Sequence, residues 1–458
     1  MIVFEFISFL LLSLVHVLTG YALLSFLHIR MTVSERLAYG LLIGVGSFSF
    51  IPVVLGFLHL PIQPFLILSI CGVLSAGLII FRRKALQLPA CAELCRKIPW
   101  SAFPLLIPLL LLFLLSCWRA YYLPPFAVDV TSGAETLAEF AIREGRFVNS
   151  VFDLYQTGNT LKPALLVSLQ IIYKSAGIAF GQLWLVLIIA AFLILMISHL
   201  AKRIHWQLAL FLVLLFYCIP ELYAHSYSML YDYPNLIYFT ASLLFLFKYI
   251  ESGIRQELFL SSMMMCLAIY IRPETILLAV LLILLSLFFM ERKNLKAITR
   301  LIFSFLLWPV LTYVVFIYGY IHFFIPVEYD ISAQVNPRLS NWYDCFVKIK
   351  QAFSCLFLND YGLSVYSVFP HLFILLVLAE LFYARRFSKK AIYFMSCLLL
   401  VFLFFPLLSH VLPGVTIDNT VKRAYFKLFP IMLLILAELH WLQHLSKKIK
   451  QWTRKKVD

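Results

Sequence analysis

The sequence predicts an all-α polytopic membrane protein of about thirteen transmembrane helices, with an outside loop that carries juxtamembrane helices. Three observations lead there. Of 458 residues, 63% are hydrophobic and 13% charged, with a mean hydropathy of +0.95, which is too apolar for a water-soluble domain. The apolar stretches are long, rich in Leu, Ile and Phe, and lack the two-residue alternation of a membrane strand, so they read as helices rather than a barrel. The net charge of +15 is concentrated in the connections between these stretches.

Apolar runs of roughly 17 to 25 residues place spans near 2–27, 37–58, 63–81, 101–118, 180–200, 206–220, 231–249, 257–271, 274–290, 299–323, 364–384, 391–411 and 424–445. The first run has no basic leading region and no clear small-residue cleavage site, so it reads as a retained span. Residues 1–100 form an N-terminal three-span unit with a cytoplasmic loop, 101–445 a transmembrane core that includes an outside loop at 119–177, and 446–458 a basic cytoplasmic tail. The turn Arg272-Pro273-Glu274 separates two spans tightly, because proline interrupts the helix.

Charge sets the topology. Arg30 and Arg36, Arg82-Arg83-Lys84 with Arg96-Lys97, Lys202-Arg203, Lys248 and Arg255, Arg292-Lys293 with Lys296, Arg385-Arg386 with Lys389-Lys390, and the tail from Lys447 to Lys456 all fall on one side, assigned as inside. The alternate connections hold Asp129, Glu135, Glu139, Glu144, Asp153, Glu221, Asp232, Glu274, Glu328, Asp330, Asp344, Asp360 and Asp418. This alternation requires that Leu161 to Gly177, although apolar, does not span; Lys162, Gln170 and Lys174 fit such a role. The basic tail is explained by topology and anionic headgroups, which leaves nucleic acid without support. The nine cysteines show no zinc or redox spacing, and Cys345 and Cys355 read equally as an outside pair or as two thiols.

In the outside loop, Ser132-Gly-Ala-Glu135 has capping-box spacing, and Leu137, Ala138, Ala141 and Ile142 form an apolar stripe at helical period. Gly145 is positioned to end this short surface helix, with Glu139 and Arg143 as an i,i+4 pair on its wet face. Asp129, just before the helix, reads either as a solvated loop acid or as a functional carboxylate at the mouth of the bundle. Asp232 starts a span, where the helix dipole favours an acid in any case. Arg272 at membrane level calls for a functional reading. Lys422, Arg423 and Lys427 break the positive-inside trend just before the last span, which an anionic ligand such as a lipid phosphate would explain. Tyr121, Tyr122, Tyr223, Tyr227 and Trp342 read as interfacial anchors, with sugar stacking as the other role of such residues.

Four of these stretches together resemble the GT-C superfamily of polyprenyl-phosphate-sugar-dependent membrane glycosyltransferases, the group of protein mannosyltransferases and the aminoarabinose transferase. They are Pro124-Pro125-Phe-Ala-Val-Asp129 through Glu144-Gly145-Arg146-Phe147; Leu161-Lys162-Pro163-Ala164-Leu165-Leu166 with Gly177 and Gly181; Tyr231-Asp232-Tyr233-Pro234; and Lys422-Arg423-Ala424-Tyr425-Phe-Lys427-Leu-Phe-Pro430. The likeness covers roughly residues 101–445. It departs from the family in having Asp-Tyr rather than paired acids in the second acidic loop, and Ala164 in place of a proline.

The resemblance implies an inverting transfer of a sugar from a polyprenyl-phosphate donor to a hydroxyl on a lipid, glycan or protein acceptor, at the outer face of the cell (inner) membrane. Asp129 and Asp232 are then the catalytic acids, with Asp129 the general base, and Arg423, Lys422, Arg272 and Lys162 bind the donor phosphate. No cofactor is certain, and a divalent metal stays open. An outer-leaflet polysaccharide polymerase or ligase would rely on outside arginines instead, and a secondary transporter would show internal repeats with midplane charges, of which the sequence shows none.

Overall fold

The computed structural model describes residues 2–83, 102–154, 163–179, 181–290, 295–324, 341–358, 360–412 and 414–454. Lys162 lies outside the described residues, as do Lys84, Arg96, Lys97, Arg292, Lys293, Glu328, Asp330 and Lys456. The described chain is helical, in the order α1 (Ile2–Leu24), α2 (Val33–Phe48), α3 (Ile51–Phe57), α4 (Pro64–Arg82), α5 (Phe103–Tyr122), α6 (Glu135–Glu144), α7 (Val151–Leu154), α8 (Leu165–Ser175), α9 (Leu183–Leu200), α10 (Trp206–Tyr217), α11 (Pro220–Ala224), α12 (Asp232–Ser252), α13 (Arg255–Ile271), α14 (Thr275–Phe289), α15 (Leu295–Tyr313), α16 (Tyr320–Phe324), α17 (Trp342–Phe357), α18 (Asp360–Tyr366), α19 (Phe369–Tyr383), α20 (Lys389–Val411), α21 (Lys422–Ala424), α22 (Leu428–Ala437) and α23 (His440–Arg454).

Seven helices among the described residues are long and apolar enough to cross a bilayer, and a bent pair at the C-terminal end makes an eighth. Their outward faces are apolar: Phe65, Val73, Phe81 and Phe303 are largely exposed, as expected of side chains that meet lipid rather than water. The chain is a helical membrane protein. Three of the thirteen expected spans, near 206–220, 274–290 and 364–384, are shorter apolar helices, α10, α14 and α19. The expected final span at 424–445 is broken: α22 and α23 meet at 63°. Its interruption is built by charge, because buried Glu380 accepts from the His440 and Trp441 backbone N–H groups and so satisfies the start of the second helix. The basic tail is correspondingly helical through Arg454 rather than a simple extension.

Within the stretch expected not to span, the described residues 163–177 contain the 11-residue α8, about 16 Å long and so roughly half of a hydrocarbon core. It is buried along nearly its whole length. Together with α12 and α22, whose side chains are almost all buried, it lies at the centre of the bundle.

At the N-terminal end, α1 and α2 approach until only glycine fits between them. A Cβ on Gly20 would stand 1.7 Å from the Gly40 carbonyl oxygen, and one on Gly44 1.9 Å from that of His16. Gly40-Leu-Leu-Ile-Gly44 is a small-xxx-small pattern, which lets membrane helices pack backbone to backbone. This pair also ties into the rest of the bundle, since Tyr238 Oη donates to the Leu42 carbonyl at 2.9 Å.

Charge separates the two ends of the bundle. At one end Glu35 binds Lys202 at 2.6 Å and faces Lys248 at 3.6 Å, while Glu438 binds Arg203 at 3.0 Å and faces Lys390 at 3.6 Å. Asp232 begins the helix that carries Lys248, about 24 Å along its axis. Buried Glu35, Glu380 and Glu438 thus anchor the basic connections, a role that hydropathy alone did not show.

Candidate functional site

Asp129 follows the Pro124-Pro125 turn and opens a π-helical turn, Val130–Ala134, kinked at Gly133, that runs into α6. The capping box does not form. Ser132 Oγ donates back to the Val128 carbonyl, and Glu135 instead receives Gln170 Nε2 at 2.5 Å and the Lys174 ammonium at 2.7 Å. Glu139 likewise binds Lys174, at 2.9 Å, rather than pairing with Arg143. The reason is tertiary: α8 lies against α6 and presents a partly buried cation to both acids. Gly145 does end α6, in the left-handed conformation (φ 68°) that glycine adopts without strain.

Three further segments bring charged groups to the same place. Asp232 sits in the first turn of α12 and is 2% exposed. Arg272 caps the end of α13 as the residue just after it, extended (φ −137°, ψ 104°) because the following Pro273 disfavours the helical conformation. That turn aims its guanidinium at Asp232, with Nη2 2.6 Å from Oδ1, while Glu274 approaches the other nitrogen at 3.7 Å. Buried Asn235 holds the two helices in register, donating to the Ala268 carbonyl at 2.6 Å and to Thr275 Oγ1 at 3.1 Å.

Arg423 comes from α21, a short helical turn after the π-helical turn Ile417–Val421. Its Nη1 donates to Asp129 Oδ2 at 3.1 Å and its Nε lies 3.8 Å from Asp232 Oδ2. Asp129, Arg423, Asp232, Arg272 and Glu274 therefore form one continuous ion network. Asp232 is buried between two guanidinium groups, whereas the Asp129 side chain remains 33% exposed.

Lys422, beside Arg423, turns to Glu221 of α11 at 3.2 Å. His225 lies 3.8 Å from the same carboxylate and edge-on to Phe426. The nearby His225 imidazole and then the Lys422 ammonium draw the Glu221 carboxyl down to about 2, against the opposing effect of burial. Lys427 is 2% exposed, with its ammonium 5.1 Å from the Phe405 ring centroid and no carboxylate in ion-pair reach among the described residues.

Asp129, Asp232, Arg272 and Arg423 thus meet in one network, and Lys422 joins a neighbouring one. Glu221, His225, Asn235 and Lys427 belong to this place as well. The sequence carried a signal for Lys427, in the basic run after Asp418, and for Glu221, in the acidic connection; for His225 and Asn235 it carried none. Cys345 and Cys355 are free thiols along α17, and Cys355 Sγ lies 3.7 Å from Asp418. Among the described residues, no group of three or more His, Cys, Asp or Glu side chains is placed to hold a metal ion. Tyr227 accepts from Arg119 Nη1 at 2.8 Å, which ties the loop before α12 to α5. The chain matches no family model, no curated protein and no solved structure.

Proposed function

We propose that this protein is a membrane glycosyltransferase that moves a sugar from a polyprenyl-phosphate donor to a hydroxyl acceptor, at the outer face of a cell membrane that its chain crosses up to thirteen times. One observation carries the reading: Arg423 bridges a partly exposed carboxylate, Asp129, and a buried one, Asp232, itself held by Arg272. A base that can reach solvent, backed by fixed cations, is the arrangement an inverting displacement needs.

In this reaction the acceptor oxygen forms a bond to the anomeric carbon while the bond from that carbon to the phosphate oxygen breaks. The acceptor proton passes to Asp129, and the electron pair leaves with the phosphate. Arg423, Lys422 and Lys427 balance the charge that develops there. Asp232 serves by orienting Arg272 and Arg423, since its burial between them leaves little room for proton exchange with a substrate. A carboxylate bonded to an arginine is a weak base. An incoming phosphate competes for the Arg423 guanidinium, so donor binding loosens Asp129 and prepares it for the acceptor proton.

The test is transfer itself. Purified protein in lipid nanodiscs is incubated with a panel of radiolabelled polyprenyl-phosphate sugars and extracted membrane glycans, lipids and proteins as acceptors. Label should move from the donor to one acceptor fraction in the wild type and not in Asp129→Asn. Failure to release sugar from every donor would overturn the reading.

A further inference from the structure

A second charged place lies at the far end of α13 from Arg272, about 25 Å along the helix. Arg255, at the start of α13, and Lys296, Thr299, Arg300 and Ser304 on α15 line an open cavity of about 710 Å³, whose wall is completed by Leu295 and Phe303. Tyr249, near the end of α12, is close enough to feel the charges of both Arg300 and Arg255.

Two features mark this cavity. Lys202, Arg203, Lys248 and Lys390 all face the buried carboxylates Glu35 or Glu438. Arg255, Lys296 and Arg300 have no such partner among the described residues. Lys296 and Arg300 are moreover one helical turn apart on the same helix face, an arrangement of like charges that disfavours the helix unless an anion lies between them. The walls are also apolar and open to the side: Leu295 is 79% and Phe303 65% exposed. A soluble anion gains nothing from such walls, whereas a lipid presents a phosphate and acyl chains together.

We propose that Arg255, Lys296 and Arg300 bind the phosphodiester headgroup of an anionic phospholipid from the inner leaflet, with its acyl chains along Phe303 and Leu295. Basic pockets between membrane helices on the cytoplasmic side are suited to such headgroups. The site stands apart from the sugar-transfer reading, because it lies at the opposite end of the bundle and shares no residue with the Asp129 cluster.

Native mass spectrometry of the full-length protein, released from detergent and titrated with phosphatidylglycerol or with phosphatidylcholine, tests it. Wild type should retain phosphatidylglycerol selectively. A variant carrying Arg255→Gln, Lys296→Gln and Arg300→Gln should bind it about a hundredfold more weakly, since each basic residue near an anionic surface is worth roughly a factor of five. A control variant with Lys447→Gln, Lys448→Gln and Lys450→Gln, which removes equal charge from α23, should keep the tight adduct. Equal loss in both variants would show diffuse attraction only and overturn the proposal. Displacement of the lipid by millimolar inorganic phosphate would assign the pocket to a soluble anion and overturn it too. The melting temperature of each variant confirms that it is folded.

Discussion

Arg423 reaches Asp129 across 294 positions of sequence, its Nη1 3.1 Å from the Asp129 carboxylate. The guanidinium spans two acids of unlike exposure. In the proposed reaction that difference sorts the roles: the acid that reaches solvent exchanges the proton, and the buried one holds the cation.

Asp129→Asn should reduce sugar transfer by about a hundredfold or more while leaving the protein folded, because loss of a positioned general base typically costs 10²–10⁴ in rate. Single-turnover transfer from the donor, with donor binding measured in parallel, checks this. Full activity in the variant would remove Asp129 as the base.

Asp232→Ala should cost stability first. It leaves Arg272, partly buried, with only the more distant Glu274, and removing one partner of a largely buried ion pair costs about 3 kcal/mol. Thermal unfolding in detergent should show a drop of several degrees. Asp232→Ala combined with Arg272→Met should recover much of it, since the double variant has one fewer unpaired charge. If the double variant is no better than the single, Arg272 is not the group left exposed to this penalty.

Arg423→Lys separates charge from geometry. Lysine keeps the positive charge but cannot reach Asp129 and Asp232 with two nitrogens at once, so donor KM should rise several-fold more for Arg423→Ala than for Arg423→Lys. Identical KM values for both variants and the wild type would place Arg423 outside the donor site.

Glu221, held by His225 and then by Lys422, has a defined pH dependence. Glu221 is held at about 2, below its ordinary value of 4.5, so folding gains stability from this group above pH 4.5 and loses it as pH falls toward 2. The difference in melting temperature between wild type and Glu221→Gln should therefore be constant from pH 7 to 5 and shrink below that. A difference that already disappears by pH 6 would mean that the Glu221 carboxyl is not held below its ordinary value.

Gly44→Val tests the helix contact. Its side chain would meet the His16 backbone carbonyl at a distance no relaxation of a side chain can relieve, so α1 and α2 must separate. The expected cost is about 1–3 kcal/mol or more, read as a lower melting temperature and faster proteolysis of the N-terminal spans. Gly72→Val on α4, where a Cβ meets open space, is the matched control and should be neutral.

The membrane class, the positions of the apolar helices and the separation of charge were legible in the sequence, because lipid imposes them locally. A long apolar run must be helical wherever it lies, and the break at Arg272-Pro273-Glu274 follows from the proline ring alone. The short amphipathic helix before Gly145 and its glycine end were legible for the same reason. Its acids were not. Glu135 and Glu139 turned away from local partners because Lys174 of α8, far along the chain, lay within reach. The break between α22 and α23 depended on Glu380, and close helix packing at Gly20 and Gly44 on the backbone opposite. Most of all, Asp129, Asp232, Arg272 and Arg423 could be selected one by one as charges out of place, yet nothing in their spacing stated that they touch. The sequence determined which groups are too costly to leave alone at a membrane surface; the tertiary structure decided their partners, because an ion pair is set by distance in space and not by separation along the chain.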